Sequence, residues 1–212
     1  MNQIVLGTIA ANKLNLNGDQ GNLLALKRFI EAAGLGVRVV PVANTEEALS
    51  CHFVLLGHGS IAAMDSLAGS LASINWSAVL DSVPGLSVGS GTEWLAQNGP
   101  GANGFDRIAR ASEFRVANLG SLQVLGYRNS DTTLPDLTFK GSFICSMLHG
   151  PVLAKNPALL ARAARAAATK AGVQLNLESE TFKEWVSALN RISQQIWALE
   201  ADGIDYPALE LA

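Results

Sequence analysis

The sequence predicts an α/β protein with a mostly parallel sheet flanked by helices and, in addition, an antiparallel strand section. In the first half, short apolar and β-branched runs alternate with segments of helical spacing, a pattern typical of parallel sheets with helices on both faces. Residues 97–147 carry strand-like runs in meander order instead, and the last third returns to helical spacing. No internal repeat and no linker divides the 212 residues, so we expect a single domain over residues 1–212.

The first half is predicted to alternate strand and helix. Buried strands are predicted where apolar residues run together, at Gln3–Ile9, Val37–Val42, Phe53–Leu56 and Leu86–Val88. Helical spacing predicts a helix over Leu23–Ala33 that stops at Gly34. A second helix is predicted over Ile61–Leu80 with Gly69 as a weak point, and a third runs through Leu95.

The middle section begins with a loop over residues 97–104, rich in Gly and Asn. Strand-like runs follow at Arg115–Val116, Leu122–Tyr127 and Leu137–Ile144. They follow one another at hairpin spacing, which indicates the antiparallel section.

Two helices are predicted in the last third. Asn156 is placed to cap the first helix, Pro157 suits its first position, and Gly172 follows its last turn. Residues Thr181–Glu184 form a capping-box pattern for the second helix. One apolar face of that second helix is predicted from residues at three- and four-residue spacing: Phe182, Trp185, Val186, Leu189, Ile192, Ile196 and Leu199.

The charge pattern argues against two classes of partner. The net charge is −3 and no run of Lys or Arg forms a basic stripe, so we expect no nucleic-acid binding. No apolar stretch approaches the ~20 residues of a membrane span, so we expect no membrane insertion. The first residues lack a basic region before an apolar core, which argues against a secretory signal and favours a cytoplasmic location.

Cysteine and histidine spacing predicts neither a disulfide framework nor a metal site. Cys51 and Cys145 stand far apart in the sequence, as expected for free buried thiols in a reducing compartment. The three histidines form no H-x-x-H or H-E-x-x-H pattern. We therefore expect no metal and no cofactor.

Glycine-containing turns follow several predicted strands. They cover residues 17–22, 57–60 and 89–91, and a polar cluster, His149-Gly150-Pro151, follows the last strand. In a parallel sheet ligands bind at the carboxyl ends of the strands, so these turns are candidate site residues. A structural interpretation stays open for each turn, because glycine also serves tight turns with positive φ.

Gly89 is the most informative position among these turns. It follows a buried apolar strand and precedes a predicted helix, at a strand-to-helix elbow. Many hydrolases and transferases place a nucleophile at such an elbow. Here the elbow residue has no side chain.

Two segments resemble the class I glutamine amidotransferases of the CobB/CobQ-like branch, and within it the GatD subunits of lipid II isoglutaminyl synthases. Asn17–Asn22 is similar to the family pattern Y-G-D-x-G-N, and Leu148–Pro157 is close to L-H-G-P-x-L-x-x-N-P. The resemblance covers nearly the whole chain. It implies a flavodoxin-like amidotransferase fold and, as partner, a Mur-ligase-like subunit such as MurT.

The resemblance also implies roles for individual residues. In the family a cysteine attacks the amide of glutamine, a histidine acts as base, and backbone N–H groups hold the oxyanion. His149 matches the catalytic histidine, and Gly89 stands at the position of the cysteine. The oxyanion and substrate-binding positions are Gly57, His58, Gly59, Ser60, Ser90 and Glu93.

The departures from the family pattern cluster at the same place. His58 replaces a glycine of the oxyanion loop, while Ser90, Thr92 and Glu93 replace glycine, tyrosine and glutamine after the elbow. The carboxylate of Glu93 is expected to disfavour the carboxylate of free glutamine. The resemblance therefore indicates an amidotransferase-fold subunit for amidation of a cell-wall precursor that lacks the cysteine-dependent glutaminase step.

Two alternatives stay open from the sequence. One is a hydrolase with a rearranged site that uses Ser90 or Cys145 with His149. The other is a sensor or binding module that holds a small molecule other than glutamine. Period-2 alternation places Cys145 and His149 on one face, roughly 13 Å apart if the chain stays extended.

Overall fold

The computed structural model describes residues 3–210, and its centre is a six-stranded sheet in the order β2-β1-β3-β4-β8-β7. The strands of this sheet are β1 Gln3–Ile9, β2 Gly36–Val42, β3 Phe53–Leu56, β4 Gly85–Val88, β7 Leu137–Lys140 and β8 Phe143–Ser146. All neighbouring strands are parallel except β7, which pairs antiparallel with β8. In chain order the parallel strands run 2-1-3-4-5, the flavodoxin-like order. The predicted fold class is confirmed.

Helices cover both faces of this sheet. They are α1 Gln20–Ala32, α2 Thr45–Leu49, α3 Ile61–Ala72, α4 Trp76–Ser82, α5 Ser90–Asn98, α6 Val152–Lys155, α7 Pro157–Ala171 and α8 Glu180–Glu200. Helices α1, α6, α7 and α8 pack on one face, and α2 to α5 lie on the other.

Strand β3 shows how the sequence separates the two cores. Phe53 and Leu55 point into the core under α1 and α7, whereas Val54 and Leu56 point into the core under α4 and α5. Side chains alternate between the faces of a strand, so a strand buried on both faces is apolar throughout. The continuous apolar run at residues 53–56 is the sequence signature of that position.

A second sheet of three antiparallel strands, in the order β5-β6-β9, forms the predicted antiparallel section. Strand β5 covers Arg107–Leu119, β6 covers Leu122–Thr132 and β9 covers Leu148–His149. The hairpin is much longer than the strands predicted at Arg115–Val116 and Leu122–Tyr127. Most of β5 was missed because it is largely exposed on both faces and shows little apolar alternation. Strand β9 pairs Tyr127 with His149, so this hairpin holds the candidate histidine.

Two element predictions were wrong in their boundaries, and one helix was missed. The helix predicted over Ile61–Leu80 is two helices, since Asn75 caps α4 by accepting a hydrogen bond from the Ala78 N–H. The strand predicted over Leu137–Ile144 is the hairpin of β7 and β8, which turns at Gly141 with φ +56°. Helix α2 was not predicted at all.

The C-terminal helices also differ in detail. Asn156 precedes α7 as predicted but does not cap it; its side chain bonds Leu125 in β6 instead. Gly172 ends α7 in the left-handed conformation as expected, with φ +67°. Helix α8 begins after Ser179, whose hydroxyl accepts from the Phe182 N–H, two residues before the predicted capping box.

The apolar face predicted for α8 is correct only in part. Phe182 and Val186 are buried, but Ile192 and Leu199 are exposed, and Trp197 occupies the buried position near the end. Within residues 3–210, no helix has the length and apolar character needed to cross a membrane.

Candidate functional site

The predicted site residues gather at the carboxyl edge of the parallel strands. The loops after β1, β3 and β4 meet there with His149 of β9. The imidazole rings of His58 and His149 lie edge to face, with ring centroids 4.5 Å apart. Gly89 lies beside both rings. The structure thus brings together three residues that are far apart in the sequence.

Gly89 forms the predicted strand-to-helix elbow. Its backbone has φ +51° and ψ −116°, outside the left-handed helical region, and α5 begins at the next residue. The Gly89 N–H donates to the carbonyl of Ser146 over 2.8 Å, which ties the elbow to the end of β8. An L-residue here is strained, as at the nucleophile elbows of other enzymes.

The space beside the elbow is filled by His58. A Cβ atom placed on Gly89 lies 2.5 Å from Nδ1 of His58 and 2.7 Å from Cε1 of His149. Both distances are far below van der Waals contact. The imidazole of His58 therefore occupies the volume that a side chain at the elbow would need.

His58 also accepts a hydrogen bond from a backbone N–H group of the elbow. The N–H of Ser90, the residue after Gly89, donates to Nδ1 of His58 over 3.0 Å. Neutral His58 then carries its proton on Nε2. Burial lowers the pKa of His58, which favours this neutral form.

The N–H group of Gly59, in the glycine loop after β3, also has a hydrogen-bond partner within the chain. The Gly59 N–H donates to Oγ of Ser90 over 2.9 Å, and the same hydroxyl donates to the Gly59 carbonyl over 3.1 Å. Ser90 thus closes the loop onto the helix. The backbone groups at the oxyanion positions that the resemblance implies already have partners here.

His149 is buried and neutral. Burial is the main cause that lowers its pKa to about 4, and the neighbouring His58 adds to the effect. The side-chain nitrogen of Asn17 lies 2.9 Å from Nδ1, and as the donor it leaves the imidazole proton on Nε2. Nε2 makes no hydrogen bond of good geometry among residues 3–210, although a contact with the Asn129 backbone partly opposes the lowering of the pKa. In this tautomer His149 offers a proton and no free lone pair.

The two segments that carry the family resemblance contact each other directly. Besides the Asn17 contact with His149, buried Asn22 donates to the Gly150 carbonyl over 3.1 Å. The Oδ1 atom of Asn22 accepts from the Leu153 N–H over 2.8 Å. The sequence placed these two asparagines in a candidate turn and in the segment that carries the resemblance, but assigned neither a role of its own. The sequence feature that could have indicated their roles is the cluster of amide and carboxyl side chains that follows β1.

Asp19 lies in the candidate turn 17–22, but the sequence interpretation assigned it no role of its own. Its side chain is fully buried, and Oδ2 accepts from the His58 N–H over 3.3 Å. Burial raises the pKa of Asp19 to about 6, although backbone N–H groups at His58, Asn17 and Gly150 oppose the rise. Its other oxygen, Oδ1, accepts no hydrogen bond of good geometry within residues 3–210.

Two predicted substrate-binding residues have other partners. Ser60 is exposed and caps α3 by accepting from the Ala63 N–H. Glu93 lies 3.5 Å from Arg107 of the long hairpin, at the start of β5. Burial raises the pKa of Glu93, and Arg107 opposes that rise. Gly57, like Gly59, lies in the turn that carries His58, and a Cβ there would clash with the carbonyl of Leu14.

Cys145 lies away from His149. It is buried in the core under α4 and α5, whereas β9 and its histidine belong to the second sheet. The chain leaves the main sheet after Ser146, so Cys145 and His149 lie in strands of different sheets. Both cysteines are free and buried, as expected. Over residues 3–210, no three His, Cys, Asp or Glu side chains converge as a metal site.

Comparison with known proteins gives matches in solved structures only. No protein-family model matches the chain, and no curated protein sequence matches it. A glutamine amidotransferase from Thermotoga maritima is 12% identical, with a TM-score of 0.45, over 92% of this chain and 97% of its own. The glutaminase domain of Trypanosoma brucei CTPS is 11% identical, with a TM-score of 0.46, over 84% of this chain and 98% of its own.

A third structure, of a GMP synthase subunit from Thermoplasma acidophilum, is 15% identical with a TM-score of 0.46. The match covers 80% of this chain and 94% of that chain. The α/β fold class rests on the strand order and the two helical layers of the chain itself.

Proposed function

We propose that this chain is a class I glutamine amidotransferase-like protein of the CobB/CobQ branch, resembling GatD, that lacks the cysteine-dependent glutaminase step. It acts with a Mur-ligase-like partner in the amidation of a cell-wall precursor. In this role the partner carries out the ligation with free ammonia, and the chain supports the partner by binding.

The position of His58 is the main observation that supports the proposed loss of the glutaminase step. Thioester formation needs a nucleophile, a base with a free lone pair and unpaired donors for the oxyanion. Gly89 supplies no nucleophile, and His58 fills the space beside it. The Ser90 N–H is bonded to His58, and Nδ1 of His149 is bonded to Asn17. These contacts, all at the same edge of the sheet, support the proposal that the glutaminase step is absent.

The amidotransferase likeness is supported by the contacts between the resembling segments. Asn17 and Asn22 of the first segment bond His149, Gly150 and Leu153 of the second. The two segments are more than 120 residues apart in sequence, and these polar side chains are buried or half-buried. Such contacts are expected if the segments keep the arrangement of a shared ancestor although the nucleophile is gone.

The direct test is an amidation assay with the purified chain and a MurT-like ligase. We expect amidated product with ammonium chloride and none with glutamine as nitrogen source, and we expect the ligase to be more active with the chain than without it. Release of ammonia from glutamine that is abolished by His149→Ala would contradict the proposed loss. A ligase that neither binds the chain nor responds to it would contradict the proposed partner.

The rearranged hydrolase is disfavoured by the same geometry. The hydroxyl of Ser90 is held by both backbone groups of Gly59. Cys145 is in the core, and burial raises the pKa of its thiol, so little thiolate forms.

A binding role for a small molecule has one observation in its favour. Nε2 of His149 and Oδ1 of Asp19 are buried polar atoms that make no hydrogen bond of good geometry among residues 3–210, and such atoms usually bind a ligand or an ordered water. Thermal-shift screening over amino acids and nucleotides tests this role, because a ligand that binds the folded state raises its apparent stability. We expect any such shift to disappear in the His149→Ala variant.

A further inference from the structure

A cavity of about 370 Å³ lies between α7 and the beginnings of β3, β4 and β8. Small-molecule sites have volumes of about 300–1,000 Å³, so the cavity has the size of a ligand site. The residues that line it include Phe53, Gly85, Phe139, Ile144, Arg162 and Ala166. Because parallel strands begin at the same edge of a sheet, the cavity lies at the amino edge, whereas the Gly89 elbow lies at the carboxyl edge.

The buried part of the cavity lining is apolar. Phe53, Ile144 and Ala163 are almost fully buried and belong to the core under α1 and α7. On the solvent side, the ring of Phe139 in the edge strand β7 is 44% exposed. Apolar surface of this kind is covered favourably by an apolar group, since water is then released from both. The body of a ligand that fits the cavity is therefore apolar.

Arg162 is the only charged residue among the described residues that line the cavity. Its guanidinium carbon lies 4.8 Å from the centroid of the Phe139 ring, so the exposed cation of α7 meets the exposed ring of β7. Among residues 3–210, Arg162 takes part in no ion pair. Stacking on a ring restricts the side chain without using its N–H donors, which stay available for a planar anion such as a carboxylate.

The other polar side chain of the described lining, Ser142, does not add to anion binding. Its hydroxyl donates to the Leu80 carbonyl over 2.7 Å, and the Ser142 N–H bonds to the same carbonyl. The hydroxyl oxygen then offers only acceptor lone pairs, which do not favour an anion. The cavity thus presents one anion-binding group, on its solvent side, and the matching ligand carries a single negative charge at one end.

We propose that this cavity binds a small apolar monocarboxylate, with the carboxylate on Arg162 and the apolar body against Phe53, Phe139 and Ile144. The guanidinium accommodates a carboxylate through two parallel N–H···O bonds. The site is independent of the proposed ligase partner and of the closed elbow. Gly85 and Gly89 mark opposite ends of β4, roughly 13 Å apart in an extended strand.

The test is a titration of the full chain, followed by amide NMR, with octanoate as an aliphatic and 3-phenylpropanoate as an aromatic monocarboxylate. We expect at least one of them to bind with a dissociation constant of about 1 mM or below, in the range of small ligands. The shifted amides are expected at Ser142 and Ala163 and not at Gly89. The neutral 3-phenylpropanamide is expected to bind about tenfold more weakly than its acid, because it lacks the charge that Arg162 holds.

Three variants locate the ligand. Arg162→Gln is expected to raise the dissociation constant of the carboxylate about tenfold and to leave that of the amide unchanged. Arg165→Gln is the matched control, because Arg165 is an exposed arginine of the same helix that does not line the cavity. Ala166→Leu fills the cavity from α7 and is expected to abolish binding of acid and amide alike. Its circular dichroism spectrum is expected to stay unchanged, since leucine favours helix and Ala166 is only half-buried.

The proposal is overturned if neither carboxylate binds the wild-type chain at about 10 mM, beyond the range of specific small ligands. Equal weakening by Arg162→Gln and Arg165→Gln also overturns it, because the effect is then one of net charge. Unchanged binding to a folded Ala166→Leu variant places the ligand elsewhere on the chain. If that variant does not fold, the comparison of the two arginine variants decides the question. A failure of the ligase assay leaves these outcomes unaffected, since no ligase is present in the titration.

Discussion

At the elbow, the side chain of His58 and the backbone of Gly89 share a volume that has room for only one side chain. A cysteine at position 89 would meet His58 Nδ1 at 2.5 Å from its Cβ. The resemblance places a glycine where His58 stands, so the two differences from the family are physically coupled. The histidine fills the space that the missing side chain leaves, and it satisfies the Ser90 N–H.

This coupling predicts the outcome of restoring the cysteine. Gly89→Cys alone is expected to give no glutaminase activity and to lower the free energy of unfolding by about 1–3 kcal/mol, from a strained backbone and overpacking. The double variant His58→Gly with Gly89→Cys removes the clash with His58, although the close approach to Cε1 of His149 remains. It is therefore expected to lose less stability than the two single changes added together. Urea unfolding of the four chains measures this. Simple additivity of the two changes would contradict the coupling.

Asp19 gives the site a pH dependence of its own. Its folded-state pKa is raised to about 6, so between about pH 4 and 6 the folded chain holds a proton that the unfolded chain has lost. Ionisation of Asp19 therefore makes the protein less stable as the pH rises through this window. His149 acts in the opposite direction, because its folded-state pKa is lowered to about 4 and stability is lost as the pH falls toward that value.

The variant Asp19→Asn separates the two effects. Asparagine keeps the shape of the side chain and removes the buried charge. The free energy of unfolding of the variant, relative to that of wild type, is therefore expected to rise by up to about 3 kcal/mol from pH 4 to pH 6. Urea unfolding at several pH values checks this. If the free energy of unfolding changes with pH in the same way for the two proteins, the prediction is contradicted, because the Asp19 carboxyl is then ionised at little cost.

At the scale of the elements, one buried side chain hydrogen-bonds the long hairpin to the helical layer. Asn156, between α6 and α7, accepts from the Leu125 N–H and donates to the Leu125 carbonyl, both over 2.8 Å. It also donates to the Val152 carbonyl over 2.7 Å. Since β6 pairs with β9, this junction also supports His149.

Asn156→Ala is therefore expected to destabilise the protein by about 3 kcal/mol, because buried backbone groups of Leu125 and Val152 lose their partner. Hydrogen exchange of the β6 amides should accelerate with it. Asn118→Ala is the control, since Asn118 lies in the same hairpin, is exposed and makes no side-chain hydrogen bond among residues 3–210. Equal effects of the two changes would contradict the junction.

The elements that the sequence predicted well are those whose local pattern and burial agree. The strand at Phe53–Leu56 is apolar at every position because both faces are covered. Helix α2 was missed although Asn44 caps it by accepting from the Glu47 N–H, since five residues are too few for a periodic signal. The split between α3 and α4 had a local signal in Asn75, which the apolar spacing around it concealed.

At the scale of the whole molecule, the sequence predicted which loops would meet but not how they fill the space between them. The order of strands and glycine turns places Gly89 and His149 at one edge of the sheet. The direction of the His58 ring depends on the Ser90 N–H and on the buried Asp19 below it, which no local pattern reports. The roles of Asn17, Asp19 and Asn22 emerge only when the two segments are in contact.

The central claim is that the site holds no group able to attack glutamine. The most direct measurement is the intact mass of the wild-type chain after incubation with an electrophilic glutamine analogue. We expect no adduct, because Gly89 has no side chain, Ser90 is hydrogen-bonded to Gly59 and Cys145 is buried. A stoichiometric adduct that maps to Ser90, Cys145 or His149 would contradict the account.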